Sequence, residues 1–464
     1  MIEKNNRKKL TFIATVQLQT ESMDEDLSLG IDLGTTSVKV CLYRIKDETL
    51  VSSNIKPTES TIQSDIGPSG SEQDPSLILK AVQECLTGVP LEQRRCVKCI
   101  AVTGQMHGVM LWKKQLGNPC FSNDTDGFSV QGYSQLFTWQ DQRCSPGFLS
   151  TLPEPDSHFP VNTGHGCATL FWLTKHKPEF LVDGKYTHAG TVMDYLVWIL
   201  CGLERLRDAG FAIHLLPDVA EPGHIAGKLN FDWLGISAGI PVFAALGDLQ
   251  SYVYSALDNP TDAVLNLSTS SQVVFAVKDP KIPDKPDSSQ PVQFFPYFGG
   301  NYIAVAASLN GGNVLSQFVD MLVNWTKDFG SSVNKDDVWA TLIQKALEKS
   351  SATGLNVVPT IFGERHLPLQ TASVMGITCD NLDLGSVFKS MCNGLVANLC
   401  NMMSPSYLKQ NGITRLIGTG SVISRNPIVK QEVEMQYGIL DIIFGESCDS
   451  AAGAAIYALR NYNK

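Results

Sequence analysis

Two stretches of this chain end a strand-like run in a turn of hydroxyls, and one of them adds a carboxylate. In Leu29-Gly-Ile-Asp-Leu-Gly-Thr-Thr-Ser-Val-Lys-Val-Cys-Leu-Tyr43, a short apolar run closes on Asp32 and a β-branched run starts at Val38. Gly34-Thr35-Thr36-Ser37 lies between them. Glycine frees the backbone, so the tip presents N–H and O–H donors beside a carboxylate. Such a tip suits a triphosphate and its metal, with donors for phosphate oxygens and Asp32 for Mg2+, usually through water. It is equally the composition of an ordinary polar hairpin tip. Ala263-Val-Leu-Asn-Leu, Ser268-Thr-Ser-Ser271 and Gln272-Val-Val-Phe-Ala-Val repeat the pattern. Two such hairpins can face each other across a cleft and hold one nucleotide from both sides.

Other residues could work beside them. Asp248 follows Gly247 at a strand-to-helix turn, where an acid either caps the helix or heads a cleft. Gly104-Gln105-Met106-His107-Gly108 stands at the carboxyl end of a buried strand, a usual place for a ligand. A lone histidine beside a methionine is more often a packed core residue. Here His107 is read as a partner for hydroxyls, not as an acid or base. Trp139-Gln-Asp141-Gln-Arg143 puts an aromatic, an amide, an acid and a base together. Trp139 could stack on a sugar face, while Asp141 and Arg143 could bind hydroxyls or each other. Gly418-Thr-Gly420 lets backbone lie against a base or phosphate, and Asn310-Gly-Gly312 is either a plain turn or a similar cradle.

The elements that must position these residues can be read in outline. Residues 44–73 are polar and rich in Ser, Gly and Pro, and are expected to be irregular. Asp74-Pro75 opens an amphipathic helix, residues 168–182 and 190–200 read as helices, and another begins at Gln250. Leu384 to Met403 is a long buried helix, and Asn426 caps one that starts at Pro427. The last helix, about Ser447 to Tyr462, carries the close-packing Ala451-Ala-Gly-Ala-Ala455.

Bulk properties narrow the function classes. The 464 residues, 43% hydrophobic and 18% charged, suit a globular protein of several domains. A net charge of −10 and a pI near 5.3, without a basic block beyond the first residues, exclude nucleic acid as the expected partner. The 12 cysteines form no framework: Cys96 and Cys99 make a C-x-x-C without a second pair at zinc spacing, so reduced thiols in a cytoplasmic protein are expected. No run is long enough for a membrane helix. Residues 1–27 read as an extension that is not a signal peptide, with Met23 as an alternative start.

Taken in order, Asp32-Leu-Gly-Thr-Thr, Gly104-Gln-Met-His-Gly, Trp139-Gln-Asp-Gln-Arg, Gly247-Asp248, Ser268-Thr-Ser, Gly363-Glu-Arg-His-Leu-Pro and Gly418-Thr-Gly-Ser resemble the FGGY carbohydrate kinases from about residue 28 to 462. The wording of Gly166-Cys-Ala-Thr-Leu-Phe-Trp172, Leu215-Leu-Pro-Asp-Val-Ala-Glu-Pro and Ala306-Ala-Ser-Leu-Asn-Gly-Gly points to the members acting on seven-carbon ketoses over those acting on xylulose. The resemblance implies an α/β fold of two actin-like, ribonuclease-H-like lobes around a central cleft, residues 28–257 for the sugar and 258–464 for ATP. It implies a small-molecule sugar, a heptulose, and ATP with Mg2+ as ligands, with no nucleic acid or membrane, in a monomer or homodimer. Asp248 would be the general base, and Asp32 with Asp248 would place the metal. Gln105, Met106, His107, Trp139 and Asp141 would form the sugar pocket. Gly34, Thr35, Thr36, Ser37 and Lys39 would meet the phosphates from one lobe, and Ser268, Thr269, Gly312, Gly418 and Gly420 would serve the nucleotide from the other.

One departure stands out. Between Cys201-Gly-Leu203 and Leu215-Leu-Pro the family carries a further strand pair, and here only Glu204 to His214 fills the interval. An internal deletion there is expected to leave ladder partners unpaired and to weaken folding or activity. A sugar- or nucleotide-binding regulator on the same fold is the rival from a different class. Retention of Asp32 and Asp248 argues against it, and the short segment argues for it. Actin-like filament proteins and chaperones have no use for Gly104-Gln-Met-His-Gly or Gly363-Glu-Arg.

Overall fold

The computed structural model describes residues 25–113, 120–122, 127–129, 132–155, 157–181, 185–202, 221–287, 289–349, 354–367, 369–445 and 449–462. The expected strand pair missing near 204–214 lies outside these residues, as does most of the 1–27 extension.

Two large sheets dominate, and they share one plan. In the first, Leu27–Leu33, Ser37–Arg44 and Leu50–Pro57 form an antiparallel meander. Val97–Gly104 then pairs parallel to the first strand, and Pro241–Phe243 parallel to that. In the second, Asp262–Leu267, Ser271–Val277 and Tyr302–Ser308 form the meander, with Arg415–Thr419 and Asp441–Phe444 added in parallel. Each sheet therefore runs third, second, first, fourth, fifth strand across its width. The extra edge strand differs: Ile225–Lys228 lies beyond the fifth strand of the first sheet, and Val292–Pro296 beyond the third strand of the second. Each sheet has its own apolar core. Such a sheet, covered by helices on both faces, buries its central strands completely: Leu29, Ile31, Leu33, Val38 and Val40 are all inaccessible.

Helices start where the chemistry of their ends predicts. Asp74 caps Pro75–Thr87, with its carboxylate accepting the Ser76 N–H at 2.8 Å. Asn426 caps Pro427–Tyr437 in the same manner. Thr191 and Asp194 form a reciprocal capping box at the head of Val192–Cys201. The helix expected over 168–182 is shorter, Gly166–His176, because Pro178 cannot continue it and a single tight turn follows. Residues 44–73 are less irregular than expected. Leu50–Pro57 is an edge strand that leaves apolar Leu50 and Ile55 exposed while Asn54 turns inward to donate to the Cys85 carbonyl at 3.0 Å, so its polar pattern hides its period.

The two sheets are joined by a pair of helices. Asp248–Ala256 leaves the first sheet, and its Val253 packs with Val274, Ile303 and Val305 of the second. Ser450–Tyr462 returns from the chain end and lies between that helix and the first sheet. Its small residues make this possible. A Cβ on Gly453 would stand 1.8 Å from the Ser251 carbonyl, and one on Gly30 would stand 1.9 Å from the Ala451 carbonyl. The Ser28 hydroxyl donates to the Ala455 carbonyl at 2.9 Å, and Ser450 to the Asp248 carbonyl at 3.0 Å. Asp248 thus sits at the head of the joint. No helix among the described residues is long and apolar enough to cross a membrane.

Candidate active site

Three neighbouring strand ends bring the first group together. Asp32 pairs in register with Thr103, and Thr103 with Leu246. The residues that follow, Gln105 and Asp248, therefore emerge beside Asp32 at the carboxyl edge of the first sheet. The Thr103 hydroxyl fixes the third strand end by donating to the Leu246 carbonyl at 3.0 Å. Asp248 occupies the first turn of its helix and accepts the Leu249 N–H at 2.7 Å. Burial nevertheless pushes its carboxyl up to about 6. The Asp32 carboxyl is pushed well above the usual range by burial, then by Asp248 and Asp449, with Lys39 opposing. One of its oxygens, Oδ1, is buried without a hydrogen-bond partner. Lys39 is held by Asp449 at 2.6 Å, at the start of the last helix.

The Gly34–Ser37 turn is tied to the neighbouring wall. Gln73 Nε2 donates to the Thr35 carbonyl at 2.6 Å, and Trp139 Nε1 to the Thr35 hydroxyl at 3.0 Å. Buried Gln105 donates to Gln73 Oε1 at 2.9 Å. Thr36 stays exposed. Trp139 then lines a cavity of about 420 Å³, together with Met106 and His107 from the first sheet side and Phe295, Arg365 and Met402 from the second. Gly247 has to be glycine for Met106 to lie there, since a Cβ would meet the Met106 sulfur at 2.7 Å.

His107 adopts a left-handed backbone (φ 69°) and stacks on His165, with ring centroids 4.8 Å apart. Burial and Arg365 lower the His107 pKa, and burial, then His107 and Arg365, bring His165 down to about 4. Both rings are neutral at neutral pH, so each can donate and accept a hydrogen bond. The partner ring is held in place because the Gly166 N–H donates to the His107 carbonyl at 2.7 Å.

Asp141 does not line the cavity, a correction to the expected sugar contact. Its Oδ1 accepts Arg143 Nε at 2.7 Å, and its Oδ2 accepts Arg143 at 2.9 Å and the Ser71 N–H at 2.8 Å. Arg143 also reaches Glu72 at 2.7 Å, and all three side chains are buried. With both oxygens engaged, Asp141 braces the loop that carries Trp139. Of the two alternatives open for Asp141 and Arg143, they bind each other.

A second cavity, about 720 Å³, opens on the second sheet. Ser268, Thr269 and Gly312 line it, with Trp339, Ser421 and Arg425. The hairpin tip and the glycines lie against each other: Gly312 N–H donates to the Ser268 carbonyl at 2.7 Å, and Asn313 N–H to the Thr269 carbonyl at 3.1 Å. A Cβ on Gly312 would meet Val422 at 2.6 Å and the Ser268 carbonyl at 2.8 Å. Gly420, at φ 104°, turns the strand into the Ser421–Arg425 helix that forms part of the wall. Gly418 lies in the strand beneath, against the Phe444 ring, and is not itself in the lining. The Tyr252 hydroxyl shares a hydrogen bond with Thr419, joining the Asp248 helix to this strand. Arg365, His165 and Gln73 were missed as site residues by sequence reasoning. For Arg365 the signal was the charged Gly363–His366 knot, which had no role assigned.

The N-terminal-domain profile of the FGGY family of carbohydrate kinases matches residues 27–212. The chain is 45% identical to sedoheptulokinase from Homo sapiens over 473 aligned positions, covering 94% of this chain and 98% of that protein. For the Mus musculus sedoheptulokinase the identity is 43%, covering 94% and 97%. Xylulose kinase from Rhodospirillum rubrum superposes with a TM-score of 0.72 at 18% identity, over 93% of this chain and 89% of that one, a likeness of fold. The chain belongs to the FGGY family of carbohydrate kinases.

Proposed function

We propose that this kinase transfers the γ-phosphoryl group of ATP to sedoheptulose, giving sedoheptulose 7-phosphate for the pentose phosphate pathway in the cytoplasm. The observation that carries the reading is Asp248 at the head of the helix that joins the two sheets, each of which carries a cavity. One is lined by Trp139, Met106 and His107, the other by the Ser268-Thr269 tip and Gly312. Full-length similarity to sedoheptulokinases supports the choice of sugar.

Phosphoryl transfer to an alcohol depends on positioning and on neutralising charge. Trp139 offers a flat face to the sugar chain, and His107 exchanges hydrogen bonds with its hydroxyls. Asp248 is placed to accept the proton of the attacking hydroxyl, and as a carboxylate above pH 6 it is free to do so. Backbone and hydroxyl donors of Thr35, Thr36, Ser268 and Thr269 receive phosphate oxygens, with Gly34, Ser37 and Lys39 completing the first turn. Gly418 and Gly420 shape the strand under the nucleotide. Two buried carboxyls with raised pKa values, one with an orphan oxygen, are an environment that a cation would relieve, so Asp32 with Asp248 fits Mg2+. Asp32 and Asp248 would hold the ion, and it would supply positive charge to offset that of the phosphates.

We assign residues 28–257 to the sugar lobe and 258–464 to the ATP lobe, with the last helix packed back on the first sheet, in a monomer or homodimer. A coupled ADP-release assay with MgATP tests the activity, comparing sedoheptulose, xylulose, ribulose and no sugar. Turnover highest with sedoheptulose supports the reading; a higher kcat/KM for xylulose would replace the substrate.

A second reading has one observation behind it. The alignment with the human protein runs to 473 positions while taking in only 94% of the 464 residues here, so that relative carries residues without counterparts. The chain would then bind sugar and nucleotide without turning them over. Sugar binding in a cooperatively melting protein that releases no ADP would favour it.

A further inference from the structure

The Gly363–His366 loop crosses from the second sheet to the sugar cavity, and its construction is unusual. Glu364 is buried, and a single oxygen, Oε1, accepts from Ser308, from Asn310 at 2.9 Å and from Asn398 at 2.8 Å. Asn310 also donates to the Gly363 carbonyl at 2.8 Å and accepts the Phe362 N–H at 3.1 Å. The Leu367 N–H closes the turn on the Glu364 carbonyl at 3.2 Å. Five hydrogen bonds to Glu364 and Asn310 and one turn bond thus fix the backbone on either side of Arg365. The bracing runs through Oε1 alone, since Glu364 Oε2 is buried without a hydrogen-bond partner.

Arg365 is what the loop presents. Its guanidinium lines the cavity opposite His107 and His165, and it makes no hydrogen bond or ion pair among the described residues. The adjacent Glu364 carboxylate is turned away into its own network. Among the described residues no aspartate or glutamate lines the cavity, so the guanidinium has no carboxylate among them to pair with there. The two imidazoles facing it are neutral and can accept only weakly. An unpaired planar fork carried on a braced backbone, in the same cavity lining as hydrogen-bonding rings, is suited to a ligand rich in adjacent oxygens.

We propose that Arg365 is a specificity-determining residue that hydrogen-bonds oxygens of the sugar from the second lobe. The sugar is then gripped by both lobes, and its binding favours their approach. The inference rests on the proposed sugar-kinase reading. It adds a cationic contact to the second-lobe side of the pocket, beside Phe295 and Met402. Asn310 connects this grip to the nucleotide side: its carbonyl accepts the Ser271 hydroxyl at 2.6 Å, and Gly311-Gly312 follow it directly in the chain.

The test compares wild type with Arg365→Gln and Arg365→Lys. Sedoheptulose binding is read without ATP, from the fluorescence of Trp139 and the other tryptophans, and then KM is measured for each substrate. The expected result for Arg365→Gln is a roughly 10–100-fold weaker sugar affinity and higher sugar KM, the range of a charge-assisted hydrogen bond, with the ATP KM within about twofold. Arg365→Lys keeps the charge but loses the fork, and falls between. Because the side chain has no partner, melting temperatures should match wild type, so the loss cannot be a folding effect. Unchanged sugar affinity in both variants overturns the proposal, as does a raised ATP KM with normal sugar affinity, which would place Arg365 on the phosphates. A wild-type protein that binds no sugar overturns the sugar-kinase reading itself, and the proposal with it.

Discussion

The two hydroxyl turns look interchangeable as sequence, Gly34-Thr-Thr-Ser37 and Ser268-Thr-Ser-Ser271, and each joins the first two strands of a sheet with the same strand order. Their surroundings differ. The first turn stands beside two carboxyls, and its Thr35 is bound by Gln73 and by Trp139, which lines the smaller cavity. The second has no acid at its strand end; Asn266 stands there and receives the Ser268 hydroxyl at 2.9 Å. It rests on the glycines of residues 311–312 and opens on the larger cavity. A repeated fold has thus been divided by a handful of side chains. On the proposed reading, proton transfer and metal binding belong beside the first turn, and accommodation of the nucleotide belongs to the second.

The division is broken most directly at Asp248. Replacing it with asparagine keeps the helix start and removes the proton acceptor, so kcat should fall by roughly 10²–10⁴-fold. Sugar binding and the melting transition should persist. A variant that kept more than half its turnover would remove Asp248 from the role and erase the contrast between the turns.

Much of this contrast was legible in the sequence, because it rests on local grammar. A strand, a glycine and hydroxyls in succession specify a hairpin tip, and Gly247-Asp248 before an amphipathic run specifies a helix head. Asn426-Pro427 marked its cap for the same reason. What remained hidden depends on pairings between distant segments. Asp141 could not be known to be consumed until Glu72 and Ser71, some 70 positions away, were seen around Arg143. His165 enters the cavity only because the chain folds back over His107. Arg365 sits in a motif that was noticed for its charge, but its direction is set by Ser308, Asn310 and Asn398.

Arg143 sharpens the boundary between support and contact. Arg143→Met would leave two buried carboxylates without their cation, and breaking such a pair costs about 3–5 kcal/mol of stability. Chemical denaturation should show that loss, while the remaining folded enzyme keeps a near-normal sugar KM. A large rise in sugar KM at full stability would return Asp141 to the sugar. On the other side, Gly312→Ala should push the Ser268 carbonyl or Val422 aside and raise the ATP KM by about tenfold, since small misplacements of binding groups are costly. Sugar affinity should not move. A rise in sugar KM instead would mean that the second turn does not serve the nucleotide alone.

The smallest effect is on pH dependence, and it separates the turns by charge. Asp248 titrates near 6 in the folded chain against an ordinary value of 3.8. Below pH 6 it is protonated and cannot accept a proton, so kcat/KM should fall about tenfold per unit on the acid side. The same shift has the opposite consequence for stability. The folded state holds this proton more tightly than the unfolded one between 3.8 and about 6, so its stabilising contribution is complete below 3.8 and is lost as pH rises through 6. Asp32, raised by burial and by its acidic neighbours, contributes with the same sign. Asp248→Asn should therefore melt about 2 °C or more above wild type at pH 7.5, and the gain should shrink toward pH 4. MgATP should reverse the order of the two melting temperatures, because it meets a charge that only the wild type carries. If asparagine at 248 melted lower at pH 7.5 without ligand, the carboxylate would be stabilising the fold, and the acid limb of activity would need another owner.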